Sequence, residues 1–110
     1  MDAIHGDKLR GHLETIILSA LQQGQAHGLE ILHRLEEAGC GLLRLKEGSL
    51  YPALYRLEDK DWVESDWDES PEGRRVRVYR LTPKGKRAFV AERASWWVFS
   101  STLDQVLAAE

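Results

Sequence analysis

Apolar residues at Leu9, Leu13, Ile16, Ile17, Ala20 and Leu21 recur every three or four positions, which puts them on one face of a helix. Gly24 follows where a left-handed cap would close it. Ile31, Leu32, Leu35 and Ala38 repeat the spacing and stop at Gly39 and Gly41, predicting a second helix. Leu42, Leu43 and Leu45, with Arg44 interposed, fit either a brief strand or an extended connection. Leu50, Leu54 and Leu57 then mark the inner face of a third helix. Gly48 and Ser49 open it, with Ser49 as N-cap and Pro52 confined to the first turn, and its predicted end lies near Asp59 to Asp61.

Beyond that helix the period changes from helical to two. Trp62 to Trp67 alternate as a strand and Val76 to Leu81 as its partner, joined by a long tip rich in Asp, Ser, Pro and Gly. Thr82 and Pro83 combine a hydroxyl cap with proline at the first helical position, so a last helix is expected from there toward Glu110. The predicted fold class is therefore mainly α with a small β-hairpin (α+β), a winged helix-turn-helix plus a long C-terminal helix. In that plan residues 1–81 form a DNA-binding domain and residues 82–110 a dimerisation helix.

The last helix carries an unusual stripe for a monomer. Phe89, Trp96, Phe99, Leu103, Val106 and Leu107 lie on one side, and Trp97 and Val98 broaden it. So much aromatic surface has to be covered, either by the first three helices or by the same helix of a second chain, and its breadth favours a two-fold homodimer.

Charge adds a second asymmetry. The 110-residue chain has a formal net charge of -3, yet from Gly73 to Ala91 it carries seven Lys or Arg residues and no acid. The preceding stretch, Glu58 to Glu72, holds eight acids against the single Lys60. A basic ribbon on an acidic protein predicts one surface facing a polyanion, here double-stranded DNA. Hydrophobic and charged fractions of 43% and 30% suit a soluble domain. No run reaches the roughly 18 apolar residues of a membrane span. The N-terminus has no export signal, and the lone Cys40 fits a reducing compartment, so a cytoplasmic location without a membrane partner is expected. Cys40 reads as a small buried hydrophobe.

Catalysis finds no support. His5, His12, His27 and His33 lack metal-ligand spacing, Cys40 has no companion, and no phosphate loop or nucleophile elbow is present. No catalytic residue, metal site or cofactor is expected.

On the outer side of the third helix stand Ser49, Tyr51, Pro52, Tyr55 and Arg56, positioned for hydroxyl, phenol and guanidinium contacts to phosphate or base edges. Lys46 before the helix, and Arg74 with Arg75 at the wing, would add sequence-independent attraction. Arg56 serves equally well in a solvated ion-paired face, and Pro52 in fixing the start of the helix.

Lys46 to Leu54 with Arg56-Leu57-Glu58, then Gly73-Arg74-Arg75 and Tyr79 to Gly85, resemble the PadR family of transcriptional regulators. Gly11 to Glu14 and His27-Gly28 fit the same pattern, with Leu29 where many relatives have an aromatic residue. The short C-terminal segment resembles the smaller members, in which one long helix mediates dimerisation. The resemblance implies a repressor that binds a two-fold operator and is released by a small molecule. It also makes Trp96 a stacking platform for flat aromatic effectors between subunits, whereas composition alone makes Trp96, Trp97 and Phe99 dimer core. A protein-binding winged helix and an aromatic-ligand sensor with incidental DNA affinity are the competing readings.

Overall fold

The structure, a computed structural model, describes Ile4 and residues 9–39 and 41–108. His5 and Cys40 lie outside the described residues. Helix α1 spans Leu13–Ala20. It starts later than the periodicity predicts because Gly11, at φ 87°, breaks helical geometry, although Leu9 is still buried. A 3-10 turn, Leu21–Gln23, tightens its end. Gly24 is not the left-handed cap expected there. Its φ of 120° and ψ of 174° belong to a region that glycine alone enters freely, and the chain turns straight into an extended segment.

That segment, β1 (Ala26–His27), leads into α2 (Gly28–Ala38). His27 caps α2: its Nδ1 accepts the Glu30 amide at 3.3 Å, while Glu30 Oε1 accepts the His27 amide at 3.2 Å. From α2, Arg34 reaches back to the α1 end, where Nη1 donates to the carbonyls of Ala20 (3.0 Å) and Gly24 (2.7 Å) and Nη2 to that of Gln25 (3.2 Å). One guanidinium thus serves three carbonyls around the tight reversal. Leu42 to Leu45 form an extended connection with a bridge from Leu43 to Ile4.

Helix α3 spans Glu47–Asp59, with Lys46 rather than Ser49 in the N-cap position. The first turn is closed by the Ser49 and Leu50 amides on the Lys46 carbonyl, both at 3.0 Å. Pro52 therefore lies in the second turn, against expectation. The carbonyl it leaves unbonded belongs to exposed Gly48, where water can reach it. At the other end the Trp62 amide bonds the Leu57 carbonyl and the Asp61 amide that of Glu58, with Asp61 at φ 60°, so α3 ends in a Schellman motif.

Strands β2 (Val63–Glu69) and β3 (Arg75–Leu81) form the wing. The sheet has three antiparallel strands in the order β1-β3-β2, not the two predicted, because Ala26 and His27 pair with Tyr79 and Val78. Both wing strands also run further than predicted, which shortens the tip. The Gly73 amide bonds the Ser70 carbonyl at 2.9 Å, with Pro71 second in the turn and Gly73 at φ 80°, a three-residue hairpin loop with glycine at its left-handed position.

Ile17, Leu18, Ile31, Leu50, Leu54, Leu57 and Val63 are fully buried where the three helices meet the base of the sheet. Each such side chain contributes about 1.5–3 kcal/mol by leaving water. Helix α4 (Pro83–Ala108) starts as predicted. Thr82 Oγ1 accepts the Gly85 amide at 2.9 Å and donates to the Asp61 carbonyl at 2.6 Å, tying the new helix to the end of α3. Gly85 lies so close to the Trp62 carbonyl that a methyl group has no room.

Candidate nucleic-acid interface

Burial of Leu50, Ala53, Leu54 and Leu57 decides which side of α3 meets solvent. Gly48, Pro52, Tyr55 and Arg56 follow one another at spacings of four, three and one, a single exposed row, with Tyr55 67% exposed. Lys46 stands exposed at the N-terminal end of this row, and Ser49 is half-buried beside it. Tyr51 sits differently. Its phenol packs against Gly28 at the start of α2 so closely that no side chain fits there, and desolvation, helped by Glu47, raises its pKa above 10.0. Tyr51 thus joins α3 to α2, while Tyr55 and Arg56 face outward. Among the described residues Lys46, Arg56 and Arg74 have no ion-pair partner.

The wing changes the charge picture expected from the sequence. The acidic stretch and the basic stretch are neighbouring strands, with Glu64 opposite Arg80 and Glu69 opposite Arg75. Arg80 Nε donates to Glu64 at 2.9 Å and its Nη2 lies 2.8 Å from Asp66. Arg77 Nε donates to Ser65 Oγ at 2.9 Å, and Ser65 Oγ donates in turn to Glu58 of α3 at 3.1 Å. Arg80 is therefore neutralised within the hairpin, and Arg77 Nη2 lies 4.0 Å from Glu58 of α3. What stays unpaired is the tip, where Arg74 is exposed and Arg75 stacks on the Trp67 ring at 4.8 Å.

Sequence reasoning missed Trp67. It is 56% exposed with guanidinium groups on its ring from both Arg75 and Arg77, the latter at 5.3 Å. The signal lies in strand register, which brings Trp67 opposite Arg77 and which alternation alone does not reveal.

The α4 aromatics divide. Phe89 packs on the core, and the Thr15 hydroxyl of α1 donates to Glu92 at 3.4 Å, so the first half of α4 covers α1. Trp96 and Phe99 contact His12 just before α1, with ring centroids 5.0 Å and 5.7 Å away, and lie 5.7 Å from each other. Trp97, Val98, Val106 and Leu107 are exposed on the single chain. His12 is a second residue that the sequence left without a role.

Among the described residues no group of His, Cys, Asp and Glu is arranged to hold a metal, and no helix is long and apolar enough to cross a membrane.

Three helices, a wing on the third and a long closing helix define a winged helix-turn-helix protein. Residues 17–91 match the transcriptional regulator PadR-like family, and the chain belongs to it. That family consists of transcriptional regulators, not enzymes. The chain is 35% identical over 84 residues to the transcriptional regulator Rv3488 of Mycobacterium tuberculosis, covering 76% of this chain and 75% of that one. Among solved structures it is similar to a transcriptional regulator from Clostridium thermocellum, with a TM-score of 0.82 and 31% identity over 94% of this chain and 97% of the other. A PadR-like regulator from Bacillus cereus superposes with a TM-score of 0.78 at 30% identity, covering 96% of this chain and all of that one, 100%.

Proposed function

We propose that the protein is a cytoplasmic homodimer that binds a two-fold DNA operator as a repressor and is released by a small aromatic effector. Residues 1–81 act as the DNA-binding domain and residues 82–110 as the dimerisation helix. The observation that carries this reading is the set of unneutralised cations on a chain of net charge -3. Lys46 and Arg56 lie along the exposed row of α3 and Arg74 with Arg75 at the wing tip, while Arg80 is paired within the wing and Arg77 with Glu58 of α3. Lys46 and Ser49, at the positive end of α3, suit phosphate, and Tyr55 and Arg56 suit base edges. Pro52 lies within that exposed row, and half-buried Tyr51 supports it from behind.

Because phosphate contacts release counterions, affinity should fall steeply with salt. Replacing Arg74 and Arg75 together by Ala should weaken binding to every duplex and lower the magnitude of the salt slope by about 0.9 for each phosphate no longer neutralised. Fluorescence anisotropy at several salt concentrations measures it. A folded double variant with an unchanged slope would remove the wing from the interface.

The proposed effector site rests on Trp96, Phe99 and His12, which make an aromatic corner at the α1–α4 contact, with Trp97 beside it on the exposed side. Both Trp96 and Phe99 keep an exposed edge there, available to a flat ligand or to a second subunit.

A further inference from the structure

The wing accounts for only part of the basic run from Gly73 to Ala91. Lys84, Lys86 and Arg87 stand on the first two turns of α4, with Arg93 beyond them, and all four are exposed. Among the described residues none of the four has an ion-pair partner, and Glu92, beside Arg93, is turned to the Thr15 hydroxyl of α1. Lys86, Val90, Arg93 and Trp97 follow at spacings of four, three and four, which makes them one row, with Val90 68% exposed between two cations. Neither the proposed operator contact nor the proposed two-fold uses it. The seven residues of β3 carry the wing about 23 Å from tip to base at strand rise, and α4 leaves the base along α1, where Thr15 meets Glu92 and His12 meets Trp96. Arg74 at the tip is thus a wing length from the start of α4. The apolar surface left for a partner subunit begins at Trp97, where the row ends.

Exposed cations alone are ordinary; what singles out this row is a matching face on the same chain. By strand register Glu64, Asp66 and Asp68 share the wing face turned away from α3, since Ser65 and Arg77 on the other face meet Glu58. Arg80, held by Glu64 and Asp66, offsets one charge there, and half-buried Val76 lies opposite Asp68. Asp68, and Glu72 at the tip, have no cation partner among the described residues. Acids thus surround a valine on the wing as cations flank a valine on α4. The lengths agree as well, about 13 Å from Glu64 to Asp68 at strand rise and about 10.5 Å from Lys86 to Arg93 at helical rise. Among the described residues no ion pair joins the two faces within one chain, which leaves them to pair between chains.

We propose that the row of Lys86, Val90 and Arg93, with Arg87 beside it, docks against the acidic outer wing face of a second copy of this protein, where Asp68 and Glu72 supply the charge that Arg80 does not offset. The contact joins unlike faces, so it adds molecules in series. It is separate from the α4 two-fold and forms without DNA; on the DNA-binding reading above it makes neighbouring molecules bind cooperatively. Each exposed pair contributes little, so the association is weak and sensitive to salt.

Sedimentation equilibrium of the full chain, at up to about 1 mM, should show association beyond the dimer at about 50 mM salt, weakened about tenfold or more at about 500 mM. Lys86→Glu with Arg93→Glu, and separately Asp68→Lys with Glu72→Lys, should each abolish it. An equimolar mixture of the two variants should restore it, because each reversed face then meets its complement on the other variant. Circular dichroism identifies variants that keep the fold. If either reversal does not, Lys86→Gln with Arg93→Gln carries the test, with the association expected to weaken about fivefold or more. A wild type that stays dimeric at low salt, an association that salt does not weaken, folded charge variants that associate as the wild type does, or a mixture of folded reversals that fails to restore it, each overturns the proposal. A monomer as the smallest species removes the homodimer reading alone; salt-sensitive association restored by the mixture then still supports this contact.

Discussion

Single side chains fasten this small domain by reaching from one element to another. Arg34 is the clearest case, since its guanidinium is the donor for the carbonyls of Ala20, Gly24 and Gln25. Hydrogen bonds from a charged group to carbonyls are stronger than neutral ones, so Arg34→Ala should cost about 1.5–3 kcal/mol of stability. Chemical denaturation of wild type and variant measures it; a change below about 0.5 kcal/mol, the range of ordinary surface substitutions, would mean that water replaces the clamp without penalty. Tyr79 plays a different part. It is buried at the base of the wing, and desolvation, with Glu58 next, raises its pKa above 10.0, as burial does for Tyr51. None of these roles is visible in local spacing, because each partner lies on another element.

Elements were legible wherever periodicity and a cap agreed. The inner face of α3 follows from Leu50, Leu54 and Leu57, and the start of α4 from Thr82 and Pro83, because those signals are local. The third strand was not legible. Ala26 and His27 are too few to show alternation, and their partners Tyr79 and Val78 are some fifty residues away in the chain. The Ser49 hydroxyl suits an N-cap, yet α3 begins two residues before it, at Glu47, and Pro52 falls in the second turn. The paired charges of the wing depend on register in the same way.

For α4 the question is whether Trp96 serves the proposed effector or the proposed dimer interface. If Trp96 is a stacking platform, Trp96→Leu should leave the dimer largely intact, since apolar volume is nearly kept, yet abolish quenching of tryptophan fluorescence by planar aromatic compounds. Ligand titration beside analytical ultracentrifugation separates the cases. Undiminished affinity in a dimeric variant eliminates the effector site, and a monomeric variant assigns Trp96 to the interface.

On the scale of the whole molecule the chain is elongated, 58 Å along its longest axis, and α4 alone, with 26 residues, accounts for about 39 Å at helical rise. Its distal half leaves Trp97, Val98, Val106 and Leu107 uncovered in the single chain, an apolar surface that a second copy would bury. A two-fold pair would present two copies of α3 and two wings in opposite directions, so the DNA it prefers should repeat the same half-site in inverted order. Selection of bound sequences from a random duplex pool tests this most directly. Two inverted half-sites about one helical turn apart are the predicted result. A single asymmetric half-site, or no enrichment over the starting pool, would contradict it.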